Sequence, residues 1–235
     1  MKKVKCREWL SLLVMISLAG SAMFLMIGVI LAPTLSTNAE GFYARPRSEY
    51  VLMLIQCILG VVAMLIPNML TKRFKLEIPN NMLVLYTLFL YGAIYLGEVK
   101  SFYYTIPHWD TILHTFSGAM LGALGFSFVS LLNKEERIPV QLSPVFVAIC
   151  AFCFAVTLGV FWEIYEFTFD GLLGLNMQKF ALEGGEDLIG RAAVIDTMKD
   201  LIVDSVGAFV MSFIGYISLK YKKGWVEKLL VGRNR

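Results

Sequence analysis

Six long apolar stretches are the feature of this sequence that most constrains its fold. Crossing the roughly 30 Å hydrocarbon layer of a bilayer takes about 20 apolar residues in a helix. Lipid offers no hydrogen-bond partners to the backbone, so an isolated spanning segment must be helical. The sequence therefore predicts an all-α, polytopic transmembrane helical bundle with about six spans. The predicted spans are 9–33, 50–70, 80–98, 110–132, 144–168 and 200–219.

The composition agrees with a membrane protein. Hydrophobic residues make up 57% of the chain and charged residues only 17%, whereas soluble domains have about half and about a quarter. The 235 residues are used by the spans and their connections, which predicts one membrane domain over 1–235. The formal net charge of +3 is small and does not favour a nucleic-acid partner. The lipid bilayer is the predicted partner.

The distribution of basic residues predicts the orientation. Cytoplasmic connections of membrane proteins are enriched in Lys and Arg. With the N-terminus in the cytoplasm, 15 of the 21 Lys and Arg residues lie on the cytoplasmic side, and 13 of the 18 Asp and Glu residues lie on the outer side. Both termini are then cytoplasmic, and 171–198 is an extracytoplasmic loop.

Ionisable residues occur at helical spacing near the ends of the last three spans. Asp110 and His114 are four residues apart at the start of the fourth span, so they share a helix face. Glu163 and Glu166 share a face at the end of the fifth span. The sixth span begins with two aspartates at a spacing of four. In the predicted orientation all of them lie at the outer end. The predicted catalytic residues are Asp110, His114, Glu163, Glu166, Asp200 and Asp204.

This set of side chains indicates a metal ion. An ionisable group within a span costs a few kcal/mol and usually marks a functional site. Carboxylates that lie close together repel one another unless protons, basic side chains or a cation intervene. A divalent metal accepts both carboxylate oxygens and imidazole, and it can polarise a phosphoryl or carbonyl oxygen or activate water. The predicted metal ligands are Asp110, His114, Glu163, Glu166 and Asp200.

Other charged residues near the same span ends have more ordinary interpretations. Glu98, Asp170 and Asp196 fit equally well as side chains in the headgroup layer, where a charge costs little. Lys199 and Arg191 are the nearest basic residues in the sequence. They are therefore the candidates for neutralising the carboxylates.

A small-residue face on the fourth span predicts close helix packing. Gly118, Gly122 and Gly125 lie on one side of this span. Small residues let the backbones of neighbouring transmembrane helices approach one another.

Three motifs together resemble the YjdF family of bacterial inner-membrane proteins and, more distantly, VanZ-like membrane proteins. The motifs are Asp110-x-x-x-His114, Trp162-Glu163-x-x-Glu166 and Asp196-Thr197-Met198-x-Asp200. The resemblance covers about residues 80–220 and implies a multi-pass protein of the bacterial inner membrane. VanZ-like proteins are associated with glycopeptide resistance, which implies a role at the cell envelope. The resemblance supplies no catalytic residues.

The leading hypothesis is a metal-dependent membrane enzyme that acts at the outer leaflet on an envelope lipid or lipid-linked substrate. One alternative is a proton- or cation-coupled transporter, which predicts ionisable residues continuing toward the cytoplasmic half of the spans. Few occur there. Another alternative is a non-catalytic envelope or immunity protein, in which the polar cluster only holds helices together.

Overall fold

The computed structural model describes residues 2–32, 37–39, 42–133, 142–182 and 186–233. Six of its helical segments are long and apolar enough to cross a membrane, which confirms the predicted all-α polytopic bundle. A π-helix, Tyr91–Val99, continues α3 and completes the third span. The α-helices are α1 Lys2–Leu31, α2 Arg47–Phe74, α3 Asn80–Leu90, α4 Phe102–Thr105, α5 Trp109–Asn133, α6 Pro144–Leu173 and α7 Arg191–Lys220.

Two short antiparallel strand pairs connect the helices. Strands β1, Thr37–Ala39, and β2, Phe42–Ala44, pair between α1 and α2. Strands β3, Leu76–Glu77, and β4, Gly232–Arg233, bring the end of the chain beside the connection between α2 and α3. The cytoplasmic location of the termini and the single membrane domain stay predictions.

The sequence around α6 explains where this helix begins and ends. Ser143 is its N-cap and accepts a hydrogen bond from Phe146 N at 3.3 Å, while Pro144 occupies the first turn, where no donor is needed. Gly174 ends the helix in a left-handed conformation with φ +63°, which glycine adopts without steric cost. The helix therefore continues five residues beyond the predicted span limit at 168.

The last helix also extends beyond its predicted span. It begins at Arg191, directly after Gly190 with φ +63°, whereas the predicted span begins at 200. Hydropathy identifies the apolar part of a helix, and the first turns of α7 contain polar residues that continue the helix outside that part. The connection between α6 and α7 is correspondingly shorter, at 174–190, than the predicted loop 171–198.

The helices pack in two groups. The first consists of α1, α2 and the α3–π segment around buried Leu18, Cys57 and Ile94. The second consists of α5, α6 and α7, and the buried ring of Phe126 on α5 packs with residues of α6 and against Gly215 of α7. A hydrogen bond of 3.1 Å from Trp109 Nε1 to the carbonyl oxygen of Gly92 joins them at the end where α5 begins.

Glycines bring α5 and α7 into backbone contact. A Cβ atom at Gly118 would collide with the backbone carbonyl of Asp204, and one at Gly207 would collide with that of Thr115. Gly125 faces α6 instead, where a Cβ would lie 3.0 Å from a backbone oxygen. The predicted close packing along the fourth span is confirmed, and it fixes α5 against the start of α7.

Candidate functional site

Helices α5 and α7 place His114 among three aspartates. Its Nε2 lies 3.6 Å from Oδ1 of Asp110, one turn earlier on α5, and 3.9 Å from Oδ2 of Asp200 on α7. Its Nδ1 lies 3.3 Å from Oδ2 of Asp204, one turn further along α7. The imidazole is 12% exposed, so solvent screens these interactions only weakly.

Three of these residues have the arrangement of a metal site. Asp110, His114 and Asp200 each offer a ligand atom, and the three atoms lie within 4.8 Å of one another. Two atoms bound to zinc at about 2.1 Å with tetrahedral angles are about 3.4 Å apart. The Nε2 to carboxylate distances of 3.6 and 3.9 Å are near this separation and too long for hydrogen bonds. Small side-chain movements would therefore let the three residues share a cation.

Asp204 is held in place from two helices. The hydroxyl of Ser117 lies 2.8 Å from Oδ1 of Asp204 and 2.9 Å from the carbonyl oxygen of His114, so its single proton serves both acceptors. On α6, a Cβ atom at Gly159 would lie 3.0 Å from Oδ2 of Asp204. Asp204 is buried, and its carboxylate thus has a fixed position beside Nδ1 of the imidazole.

The carboxylates of α6 are not part of the three-residue group of Asp110, His114 and Asp200. Glu163 and Glu166 are buried, at 5% and 8% exposure. Gln178 Nε2 lies 3.5 Å from Oε2 of Glu163 and donates to Oγ1 of Thr197 at 2.9 Å. Within the described residues, Oε1 of Glu163 has no hydrogen-bond partner. Glu163 and His114 interact electrostatically.

The chain after α6 is anchored by Asp170. Its two carboxylate oxygens accept hydrogen bonds from the backbone N–H groups of Met177 at 2.8 Å and Gln178 at 3.0 Å. Leu175 and Met177 are buried together with Leu52 of α2. Asp170, which the sequence did not distinguish from a headgroup-layer residue, therefore positions the segment that contains Gln178.

Lys179 follows Gln178 in the chain, and the sequence analysis did not identify it as a site residue. Its φ is +51°, and its Nζ lies 4.0 Å from Oε1 of Glu98 and over the rings of Tyr103 and Tyr104, at 4.9 and 5.2 Å from their centroids. Burial opposes its charge, but the neighbouring carboxylates, Glu98 foremost, raise the pKa of Lys179 above its usual value. Burial and the same carboxylates raise the pKa of Tyr103 well above its usual value. The lysine is therefore charged and the phenol neutral.

The two basic residues that the sequence suggested for neutralising the carboxylates lie away from the buried cluster. The side chains of Lys199 and Arg191 are exposed on the first turns of α7. Lys199 attracts the carboxylate of Asp196 electrostatically, whereas Lys179 is the cation beside Glu98. The position of Lys179 depends on contacts between separate parts of the chain, for which the sequence has no periodic signal.

Glu98 lies in the last turn of the π-helix, one residue before it ends at Val99. The backbone N–H of Lys100 bonds to the carbonyl of Tyr95 at 2.9 Å, five residues earlier. The side chain of Glu98 is 9% exposed, and its Oε1 lies 3.4 Å from Gln56 Nε2 on α2. Glu98 thus belongs to a buried network with Lys179 and Gln56. Segments of π-helix are rare and frequently occur at functional sites.

Residues 21–221 match the family described as Predicted membrane protein (DUF2238). The chain belongs to this family. A protein of Thermotoga maritima, described as an uncharacterized protein, is 32% identical over 151 residues, which cover 64% of this chain and 69% of that protein. No solved structure matches the chain.

The family match extends over all the candidate site residues, from Glu98 to Asp204. Together with the six apolar helices it establishes a multi-pass membrane protein. The narrower resemblance to the YjdF family is consistent with this membership and stays a prediction, as does the bacterial inner membrane as its location.

Proposed function

We propose that this protein is a metal-dependent enzyme that acts on an envelope lipid or lipid-linked substrate at the outer face of the bacterial inner membrane. The observation that supports this most directly is the environment of His114. Its Nε2 faces the carboxylates of Asp110 and Asp200, while its Nδ1 faces Asp204. Histidines that bind metals through one ring nitrogen commonly donate the other N–H to a carboxylate.

Asp204 determines which ring nitrogen of His114 is available to bind a metal. With a proton on Nδ1 donated to Asp204 at 3.3 Å, the lone pair of Nε2 points toward the other two aspartates. Asp110, His114 and Asp200 would hold the metal, and Ser117 would keep Asp204 oriented through its 2.8 Å hydrogen bond. Two oxygens and one nitrogen leave further coordination positions open, as in catalytic sites.

The α6 carboxylates, Glu163 and Glu166, would transfer protons. When bound, a divalent metal supplies Lewis acidity that polarises a phosphoryl or carbonyl oxygen or activates a water molecule. Glu163 has a buried oxygen, Oε1, without a hydrogen-bond partner among the described residues. This oxygen would take a proton from the attacking water. Glu166, one turn later and also buried, would return a proton to the leaving group.

The packing beneath the cluster favours this proposal over transport. Immediately inward from the aspartates, the backbones of α5 and α7 are in contact at Gly118 and Gly207. This contact leaves no passage between the two helices below His114. A site that is closed on its inner side between α5 and α7 suits chemistry on a lipid headgroup.

The experiment is a turnover assay in liposomes made from bacterial envelope lipids, with protein loaded with manganese or zinc and products identified by mass spectrometry. Replacing an acid or base group lowers rates by about 100-fold or more, so we expect this loss in Glu163→Gln. Asp110→Asn should also lower the rate, because it replaces one of the proposed metal ligands. Asp196→Asn, a carboxylate of α7 outside the three-residue group, is the control and should retain activity. Absence of any turnover by metal-loaded wild-type protein would contradict the enzyme proposal.

A further inference from the structure

We propose that Lys179 binds the anionic group of the substrate, so that the substrate is a lipid or lipid-linked molecule with a phosphate group. This inference rests on the proposed metal-dependent function and names the substrate class of the same site. Its basis is the position and the unused hydrogen-bonding capacity of this one ammonium group.

The ammonium of Lys179 lies in a mostly buried position and has no hydrogen bond to the described residues. Its side chain is 17% exposed, and its nearest carboxylate oxygen, on Glu98, is 4.0 Å away. No hydrogen-bond acceptor within the part of the chain that the structure describes pairs with Nζ. The ring faces of Tyr103 and Tyr104 attract the charge but accept no conventional hydrogen bond. Within the described residues, its three N–H donors are therefore free for a ligand.

The backbone holds Lys179 in place at a conformational cost. Its φ of +51° is uncommon for a residue with a side chain. Two hydrogen bonds from the preceding backbone to Asp170 maintain the segment, and the side chain of Asn176 bonds in both directions with Ala181 across it, at 2.7 and 3.0 Å. A strained residue fixed by surrounding contacts is a feature of ligand-binding positions.

Lys179 interacts electrostatically with the candidate metal site. Lys179 is within electrostatic range of Asp110, one of the three proposed ligands, and of Glu166. A phosphate group has several oxygens and would place one on the metal and another on the ammonium. Lysine is a common phosphate-binding residue because it presents a compact positive charge. A neutral ester would supply no negative charge to pair with the ammonium.

Metal and phosphate should therefore bind cooperatively. Without the metal, the surrounding carboxylates repel an anion. With the metal present, this repulsion falls, and by thermodynamic linkage phosphate must then increase the affinity for the metal by the same factor.

The experiment is calorimetric titration of the purified full-length protein with inorganic phosphate and with dihexanoyl phosphatidic acid, each with and without manganese. We compare the wild type with Lys179→Met, Lys179→Arg and the control Lys199→Met, which removes one positive charge from an exposed position. We expect Lys179→Met to weaken phosphatidic acid binding by at least about 10-fold without weakening manganese binding. Lys179→Arg should retain more affinity than Lys179→Met, and Lys199→Met should match the wild type.

Equal binding of phosphatidic acid by the wild type and Lys179→Met would overturn the inference and leave Lys179 as the counter-ion of Glu98. Failure of metal-loaded wild type to bind either probe would also overturn it. Binding of inorganic phosphate alone would contradict a lipid headgroup as its source. The manganese titration is evaluated separately from the anion titrations. A wild type that binds no manganese contradicts the proposed function. The anion titration without metal still tests the role of Lys179.

Discussion

His114 and Asp204 are ninety residues apart in the chain, and the Nδ1 of one lies 3.3 Å from Oδ2 of the other. This contact exists because Gly118 and Gly207 let α5 and α7 touch through their backbones. It directs the second ring nitrogen, Nε2, toward Asp110 and Asp200. The packing of two transmembrane helices thus determines the orientation of the candidate metal ligand.

Replacing Asp204 by Asn should weaken metal binding without removing a ligand. Loss of a carboxylate that orients a ligating histidine typically lowers metal affinity by about 10- to 100-fold. The measurement is the dissociation constant for zinc or manganese in detergent, compared between Asp204→Asn and Asp196→Asn. Asp196 lies on the same helix, and within the described residues the ion pairs of His114 are with Asp110, Asp200 and Asp204 and not with Asp196. Equal affinities in the two variants would show that Asp204 does not orient the ligand.

Gly207→Ala should destabilise the bundle. The added methyl group would meet the backbone carbonyl of Thr115, which cannot move without separating the helices, and overpacking of this kind costs about 1–3 kcal/mol. Gly171→Ala is the matched control, because its Cβ would meet nothing within 4 Å and alanine favours a helix. Thermal unfolding in detergent measures both. Equal melting temperatures would contradict the backbone contact.

Asp170→Ala should release the segment after α6. It removes the acceptor of two backbone hydrogen bonds, to Met177 and Gln178, and each bond to a charged group is worth about 1.5–3 kcal/mol. Hydrogen exchange at these two amides should accelerate, while exchange in the middle of α5 stays slow. Asp187→Asn, an exposed carboxylate of the same connection, should leave the exchange unchanged. Slow exchange in Asp170→Ala would show that other contacts hold the segment.

The orientation predicted from the basic residues can be tested with fusions. A green fluorescent protein joined to the C-terminus should fluoresce, because both termini are predicted to be cytoplasmic and this protein fluoresces poorly after export. Alkaline phosphatase fused after Leu182, in the predicted extracytoplasmic loop, should be active because the enzyme requires export. The opposite pattern would place the candidate site on the cytoplasmic side.

The sequence predicts the helices well because their main requirement is apolar length. It also predicts that Asp110 and His114 face the same way, since a spacing of four places them on one face of α5. The start of α7 at Arg191 differs from the predicted 200 because hydropathy measures contact with lipid and not helix formation. Such differences concern helix boundaries and leave the number of spans unchanged.

Other parts of the site depend on contacts that no local pattern reveals. Gln178 and Lys179 lie in an irregular segment, and their positions follow from hydrogen bonds to Asp170 and from burial of their neighbours. The left-handed conformation of Lys179 is unusual for lysine, so its identity gives no indication of it. Glu163 belongs to the predicted ligand set, but the three ligand atoms that the structure brings together come from α5 and α7 alone.

The most direct test of the account is the metal content of the protein, purified in detergent without chelator and measured by elemental mass spectrometry. The wild type should contain close to one divalent metal ion per chain. An Asp110→Asn/His114→Gln double variant that remains folded by thermal unfolding should contain almost none, and Asp196→Asn should retain the metal. A wild type without metal that also binds none when manganese or zinc is added would contradict the metal site and favour a purely structural cluster.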